Sequence, residues 1–217
     1  MNPLRAHLGR RRLLVVSAGL TLLSFRSRAS LAATPTGGGE AVVRDLAERA
    51  WALLHREDLD QRARLDQLTE LLKSKTDVPL LSRLVLGRYW QELSDTQRAG
   101  YEQLFGTVVM RNLARRLDQY ANGTGGPLDQ HFRILSEQPA GHHDVLVRTK
   151  VLTKTGDSVD VDWRLRPRDG QKVIIDLIIE GASLLVSQRS EFAAVIERSS
   201  LDGLLAELRA RAQSIES

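Results

Sequence analysis

The chain has 217 residues, no cysteine, 42% hydrophobic and 5% aromatic residues, and 31 Lys+Arg against 27 Asp+Glu. That length suits one domain of ordinary size, and the missing cysteine excludes disulfides, thiolate-held zinc, iron–sulfur clusters and thiol nucleophiles. The formal charge of +4 invites a nucleic-acid reading, but six of the arginines lie in residues 1–32, which carry no acid, so the remaining 25 bases face 27 acids. The basicity belongs to the N-terminus, and without aromatics interleaved among the later arginines nothing marks a nucleic-acid binder.

Residues 1–32 read as a secretory signal peptide. Arg10-Arg11-Arg12 closes a positive start, Leu13 to Phe25 is uncharged and apolar, and Ser30-Leu31-Ala32 sets small residues around a cleavage point after Ala32. The apolar run is too short to cross about 30 Å of hydrocarbon. Gly9 to Leu14 loosely matches a twin-arginine signal, with ordinary Sec export as the alternative. Either route delivers the mature protein to a bacterial periplasm. Residues 33–39, which include Gly37-Gly38-Gly39, read as a flexible leader, and residues 40–217 as a single α+β domain.

Helices come first. Val43, Leu46, Ala47, Ala50 and Leu54 share one face of a helix beginning at Glu40, and Leu65, Leu68 and Leu72 one face of a second between Asp58 and Lys73. Asp77 is placed to cap a short helix that tolerates Pro79 in its first turn and ends at Gly87. Ser94-Asp95-Thr96-Gln97 has the form of a capping box. It opens the longest helix, to about Tyr120, in which Tyr101, Phe105, Val109, Leu113 and Leu117 recur every fourth residue. The run from Asn122 to Pro127 stops it.

Beyond Pro127 the period changes to two. His131 to Glu137 is predicted as a strand; Val145 to Leu152 and Val159 to Arg166 each alternate apolar and polar residues, and Thr155-Gly156-Asp157 turns between them. Arg168-Asp169-Gly170 turns again into the nearly continuous apolar run Val173 to Ile179, which Gly181 ends. Helical spacing returns over Ser190 to Arg198 and Ser200 to about Ser214. The architecture is α+β, an antiparallel meander packed against helices from both ends of the chain.

Groups able to do chemistry are sparse. No phosphate-binding glycine loop and no G-x-S-x-G elbow is present. His142-His143-Asp144 supplies ligand types, but neighbours on an extended chain point to opposite faces, and an exposed turn is the simpler reading, so no metal is assigned. Asp160 and Asp162 share a strand face as a catalytic pair would, yet Arg164 and Arg166 continue the row and make it a solvated surface. Asp176 and Glu180 are explained by an ion pair with Arg189, and Ser199-Ser200 by a helix cap. What remains is an abundance of Leu, Val and Ile. They suit either dense packing or a pocket for a ligand made mostly of hydrocarbon.

Several stretches carry a resemblance. Leu81-Ser82-Arg83-Leu84-Val85-Leu86-Gly87-Arg88-Tyr89-Trp90, Ser94-Asp95-Thr96-Gln97-Arg98 with Tyr101 and Phe105, and Glu137-Gln138-Pro139 are similar to segments of the MlaC (toluene-tolerance auxiliary) family. Most specific is Asp176-Leu177-Ile178-Ile179-Glu180-Gly181-Ala182-Ser183-Leu184-Leu185, followed by Gln188-Arg189-Ser190-Glu191-Phe192 and Leu201-Asp202-Gly203-Leu204. It resembles the family's D-x-x-x-E-G-x-S strand end, R-S-x-F helix start and D-G-L final helix. The chain departs from the family at Lys172 and Ile175, where Trp and Tyr often stand. Hopanoid-associated relatives are also similar.

The resemblance implies an NTF2-like curved antiparallel sheet and helices enclosing an apolar cavity, no cofactor, and a periplasmic shuttle for phospholipid. It further implies passage between an outer-membrane lipoprotein complex and an inner-membrane substrate-binding protein of an ABC transporter. On this reading Val145, Val147, Val161, Trp163, Leu165, Ile175, Leu177 and Ile179 line the cavity from the sheet, and Leu84, Tyr101, Leu104, Phe105 and Val108 from the helices. The Gly181-Ala182-Ser183 bend is a strand-to-helix turn or a hinge at the mouth. Two other classes remain open: an enzyme on the same cone with His131 or Asp162 as base, and a ligand-free adaptor.

Overall fold

Side-chain caps decide where the helices begin. A computed structural model describes residues 38–121, 124–153 and 155–216; the expected signal peptide, and the leader up to residue 37, lie outside them. Helix α1 (Gly38–Leu54) starts two residues earlier than its periodicity predicts, because the Glu137 carboxylate accepts the N–H of Glu40 at 2.9 Å. Asp60 accepts from the N–H of Ala63 and opens α2 (Gln61–Lys75), and Asp77 accepts from the N–H of Leu80 and opens α3 (Val78–Leu86). The capping box before α4 (Asp95–Ala121) is complete: Gln97 Oε1 accepts the N–H of Ser94 at 3.0 Å, and Ser94 Oγ that of Gln97 at 3.3 Å.

The strands β1 (Phe132–Ala140), β2 (Asp144–Leu152), β3 (Ser158–Arg168), β4 (Gln171–Ile179) and β5 (Ala182–Ser183) form one antiparallel sheet in sequence order. Asp169 and Gly170 both take positive φ, the two-residue turn whose twist matches a hairpin. On the face turned to the helices, Val145 stands opposite Leu165, Val147 opposite Trp163 and Thr149 opposite Val161. These side chains join Val43, Leu46, Leu68, Phe105, Val108, Leu204 and Leu208 in one core. A polar pair there is satisfied internally: Trp163 Nε1–H donates to Thr149 Oγ1 at 3.0 Å, and the Thr149 hydroxyl donates to the Val161 carbonyl.

The opposite face is charged, as its alternation predicts. Lys150 pairs with Asp160 and Arg148 with Asp162 directly across the ladder, and Asp144 takes both Arg164 and Arg166.

Helix α5 (Leu184–Glu216) differs most from expectation. It begins six residues before Ser190, because Ser183 Oγ accepts the N–H of Val186 and Asp176 that of Leu185. Its helical geometry is interrupted at Ser200 (φ 69°), where Ser200 Oγ accepts from the N–H of Gly203 and caps the second segment. The expected Arg189 ion pair is replaced. Asp176 is engaged by Ser183 and Leu185, Glu180 by the N–H of Asp160, and the Arg189 guanidinium lies over Gly87.

Candidate ligand cavity

A four-residue repeat on an α-helix drifts by about 40° at each step, since 3.6 residues complete a turn. Along α4 this carries one aliphatic stripe from one environment into another. Tyr101 and Phe105 are 0% and 1% exposed and belong to the core, whereas Val109 and Leu113 have rotated out to a partly open wall. Ala114 and Val108 take over the core side.

A β-bulge brings β4 to the same place. Leu165 pairs with Ile174 and Arg164 with Asp176, leaving Ile175 without a partner. Both Ile174 and Ile175 are therefore buried, and Leu177 returns to the helix-facing row opposite Trp163. The bulge also sets Asp176 toward α5, where Oδ2 accepts the Ser183 hydroxyl at 2.6 Å and Oδ1 the N–H of Leu185 at 3.0 Å. That cap fixes Leu184 and Leu185 opposite α4.

Between α4, β4, α3 and the start of α5 lies a cavity of about 540 Å³. Leu81 and Val85 of α3 and Phe105, Val109, Met110 and Leu113 of α4 line it with Ile174, Ile175, Leu177, Leu184 and Leu185. Its polar groups are Thr76, Asp176, and a rim made of Asn112, Arg115, Arg116 and Gln119 facing Ser187, Gln188, Glu191 and Arg211. Arg211 Nη1 lies 3.8 Å from Glu191 and so links the two segments of α5 beside the opening. The chamber joins an aliphatic wall to a polar rim, and its size fits a small or chain-like organic ligand.

Of the residues the sequence nominated, Phe105, Ile175 and Leu177 line this cavity. Tyr101, Val108, Val145, Val147, Trp163 and Leu165 are buried in the main core, and Leu104 and Val161 pack against that core. Leu84 and Ile179 are half-buried and lie outside the cavity wall. Sequence reasoning did not assign Leu81, Val85, Val109, Met110, Leu113, Ile174, Leu184 or Leu185 to the wall. The drift of the α4 stripe was a usable signal for Val109 and Leu113; the bulge and the early start of α5 left none.

Neither suggested base faces the cavity. The His131 ring stacks on Trp51 with centroids 5.1 Å apart, and its Nε2 lies 2.8 Å from the Gly125 carbonyl. Asp162 faces away from the core and pairs with Arg148. His142 and His143 are exposed in the β1–β2 turn. Among the described residues no three metal-binding side chains converge, and no helix is long and apolar enough to cross a membrane. Burial pushes the Tyr101 phenol well above its ordinary pKa, so it stays protonated and donates to the Ser82 carbonyl at 3.1 Å.

Comparison with solved structures finds a phospholipid-binding protein from Ralstonia solanacearum, determined in complex with a phospholipid. It aligns with a TM-score of 0.65 and 23% identity over 82% of this chain and 98% of that one, which shows a shared fold. Among curated proteins, the intermembrane phospholipid transport system binding protein MlaC of Haemophilus influenzae is 23% identical over 129 residues. That match covers 58% of this chain and 57% of the relative's length. The model of the MlaC protein family matches residues 44–210. With that span running from the first turns of α1 to near the end of α5, the chain belongs to the MlaC family.

Proposed function

We propose that this protein is a periplasmic lipid carrier, which takes phospholipid, or a hopanoid-type lipid, into the cavity between α4, β4 and α5 and moves it between membranes. The observation that carries the reading is the cavity itself, about 540 Å³ walled by aliphatic side chains and open at a polar rim. Family membership and the names of the two relatives support the choice of lipid. The expected partners are an outer-membrane lipoprotein complex and the substrate-binding protein of an inner-membrane ABC transporter. The predicted signal peptide supports the periplasmic location. No catalytic step is required of such a protein, and we read it as a carrier, not an enzyme.

The physics makes a carrier necessary. Each methylene exposed to water costs about 0.8 kcal/mol, so a lipid with ~30 methylenes carries a barrier on the order of 20 kcal/mol to unaided transit. A cavity of about 540 Å³ lies within the size range of pockets that take small organic ligands.

The test is direct. Protein exported by its native host is purified without detergent, extracted with organic solvent and assayed by mass spectrometry. Lipid at about one per chain is expected. Protein that yields none, and that takes up none from phospholipid vesicles, would overturn the reading.

A further inference from the structure

We infer that Arg115 and Arg116 form an oxyanion subsite at the cavity mouth, which holds the phosphate or carboxylate of a lipid whose chain lies in the chamber. The inference rests on the carrier reading and adds a charge preference to it. Both arginines belong to the rim, on the polar side of α4 and a few residues beyond the aliphatic wall formed by Val109 and Leu113. Both are exposed. Among the described residues Arg116 makes no ion pair or hydrogen bond, and Arg115 makes only a 3.5 Å contact with Asn112 Oδ1.

The acids nearby do not neutralise them. Glu191 lies 3.8 Å from Arg211, which also bonds Glu207, and the Asp176 carboxylate is occupied by Ser183 and Leu185. The cavity lining therefore combines cations that have free donors with an aliphatic wall. Guanidinium groups present a planar fork that matches phosphate and carboxylate oxygens in a bidentate manner. An amphiphile with an anionic head satisfies both parts at once, while a neutral one leaves the arginines in water. Arg111, one turn earlier, shows the contrast: it is buried and committed to Asp66.

The experiment compares dodecyl phosphate, dodecanoate and a neutral monoacylglycerol of equal chain length, with inorganic phosphate as a headgroup without a chain. Binding to delipidated full-length mature protein is measured by calorimetry at low and at high salt. The expected result is about tenfold tighter binding of the two anionic amphiphiles than of the neutral one at low salt. That gap closes as salt rises, vanishes in the Arg115→Ala/Arg116→Ala double variant and returns in part with lysine at both positions. Because both side chains are exposed, the variants keep the native circular dichroism spectrum. Equal affinity for anionic and neutral amphiphiles, or a preference untouched by the double variant, overturns the subsite and leaves the carrier standing. Inorganic phosphate binding as tightly as dodecyl phosphate overturns the headgroup assignment in favour of a free-anion site. Failure of every amphiphile to bind overturns the carrier reading instead.

Discussion

Asp176 reaches from the β4 bulge to the backbone N–H of Leu185, 3.0 Å away in the first turn of α5. The same carboxylate accepts the hydroxyl of Ser183, whose Oγ accepts the N–H of Val186. One side chain thus ties the strand end to the helix start and sets two leucines into the cavity wall. It also places negative charge at a helix N-terminus, where exposed N–H groups favour it.

Asp176→Ala should therefore lower stability by about 1–2 kcal/mol, the usual cost of a lost N-cap. Urea unfolding measures the loss. Hydrogen exchange should rise selectively in residues 184–188, and Asp176→Asn should recover most of both effects. Unchanged exchange in that turn would contradict the capping role.

The buried Asp144 carboxylate is held below its ordinary pKa by hydrogen bonds from Arg166 and Arg164, which prevail over its desolvation. Its pKa is lower folded than unfolded, so its stabilising contribution is complete above the unfolded value of about 3.9. It is lost as pH falls through the folded value. The stability gap between wild type and Asp144→Asn should be constant from pH 7 to 5 and shrink below about pH 4. Denaturant melts at pH 7, 5 and 3 measure it, and a gap that persists undiminished at pH 3 would reject the linkage.

Much of this fold is legible in the sequence because its signals are local. Both hydrogen bonds of the Ser94–Gln97 box form, Asp77 caps α3, and the alternation in β2 and β3 sorts their side chains as read. The start of α5 is hidden because its caps come from Asp176 and Ser183, whereas Leu184-Leu185-Val186 alone resembles the end of a strand. The bulge at Ile175 is hidden for another reason: Ile174 and Ile175 are the same residue type in a run that is apolar except for Asp176, so the hydrophobic pattern does not show which of the two goes unpaired. Core and cavity wall also share one vocabulary. Val147 and Leu113 are both aliphatic, and only the unfilled space beside Leu113 distinguishes them.

Gly87 has φ +59° and ψ −124°, a backbone region that side chains avoid, and Arg189 packs so closely that an added Cβ would stand 2.6 Å from its Nη2. Gly87→Ala should cost about 1–3 kcal/mol. Combining it with Arg189→Ala separates the two causes: steric relief returns part of the loss, while backbone strain remains. A double variant as stable as Arg189→Ala alone would show that strain contributes nothing.

Filling the chamber separates a ligand cavity from a packing defect. Leu113 is half-buried on the cavity wall, so Leu113→Trp can project its indole into existing space. The variant should fold at least as stably as wild type, since filling an apolar void commonly adds about 0.5–2 kcal/mol. Its co-purified lipid should fall severalfold. Val147→Glu is a poorer test, because Val147 is 0% exposed in the core and a carboxylate there disrupts the fold itself. Leu135→Trp serves as the control: Leu135 is 52% exposed at the β1 bulge, away from the cavity, and its replacement should leave lipid content unchanged. If Leu113→Trp is stabilised and yet retains its full complement of lipid, the ligand occupies some other part of the protein, and the wall built by α4, β4 and α5 encloses only a void.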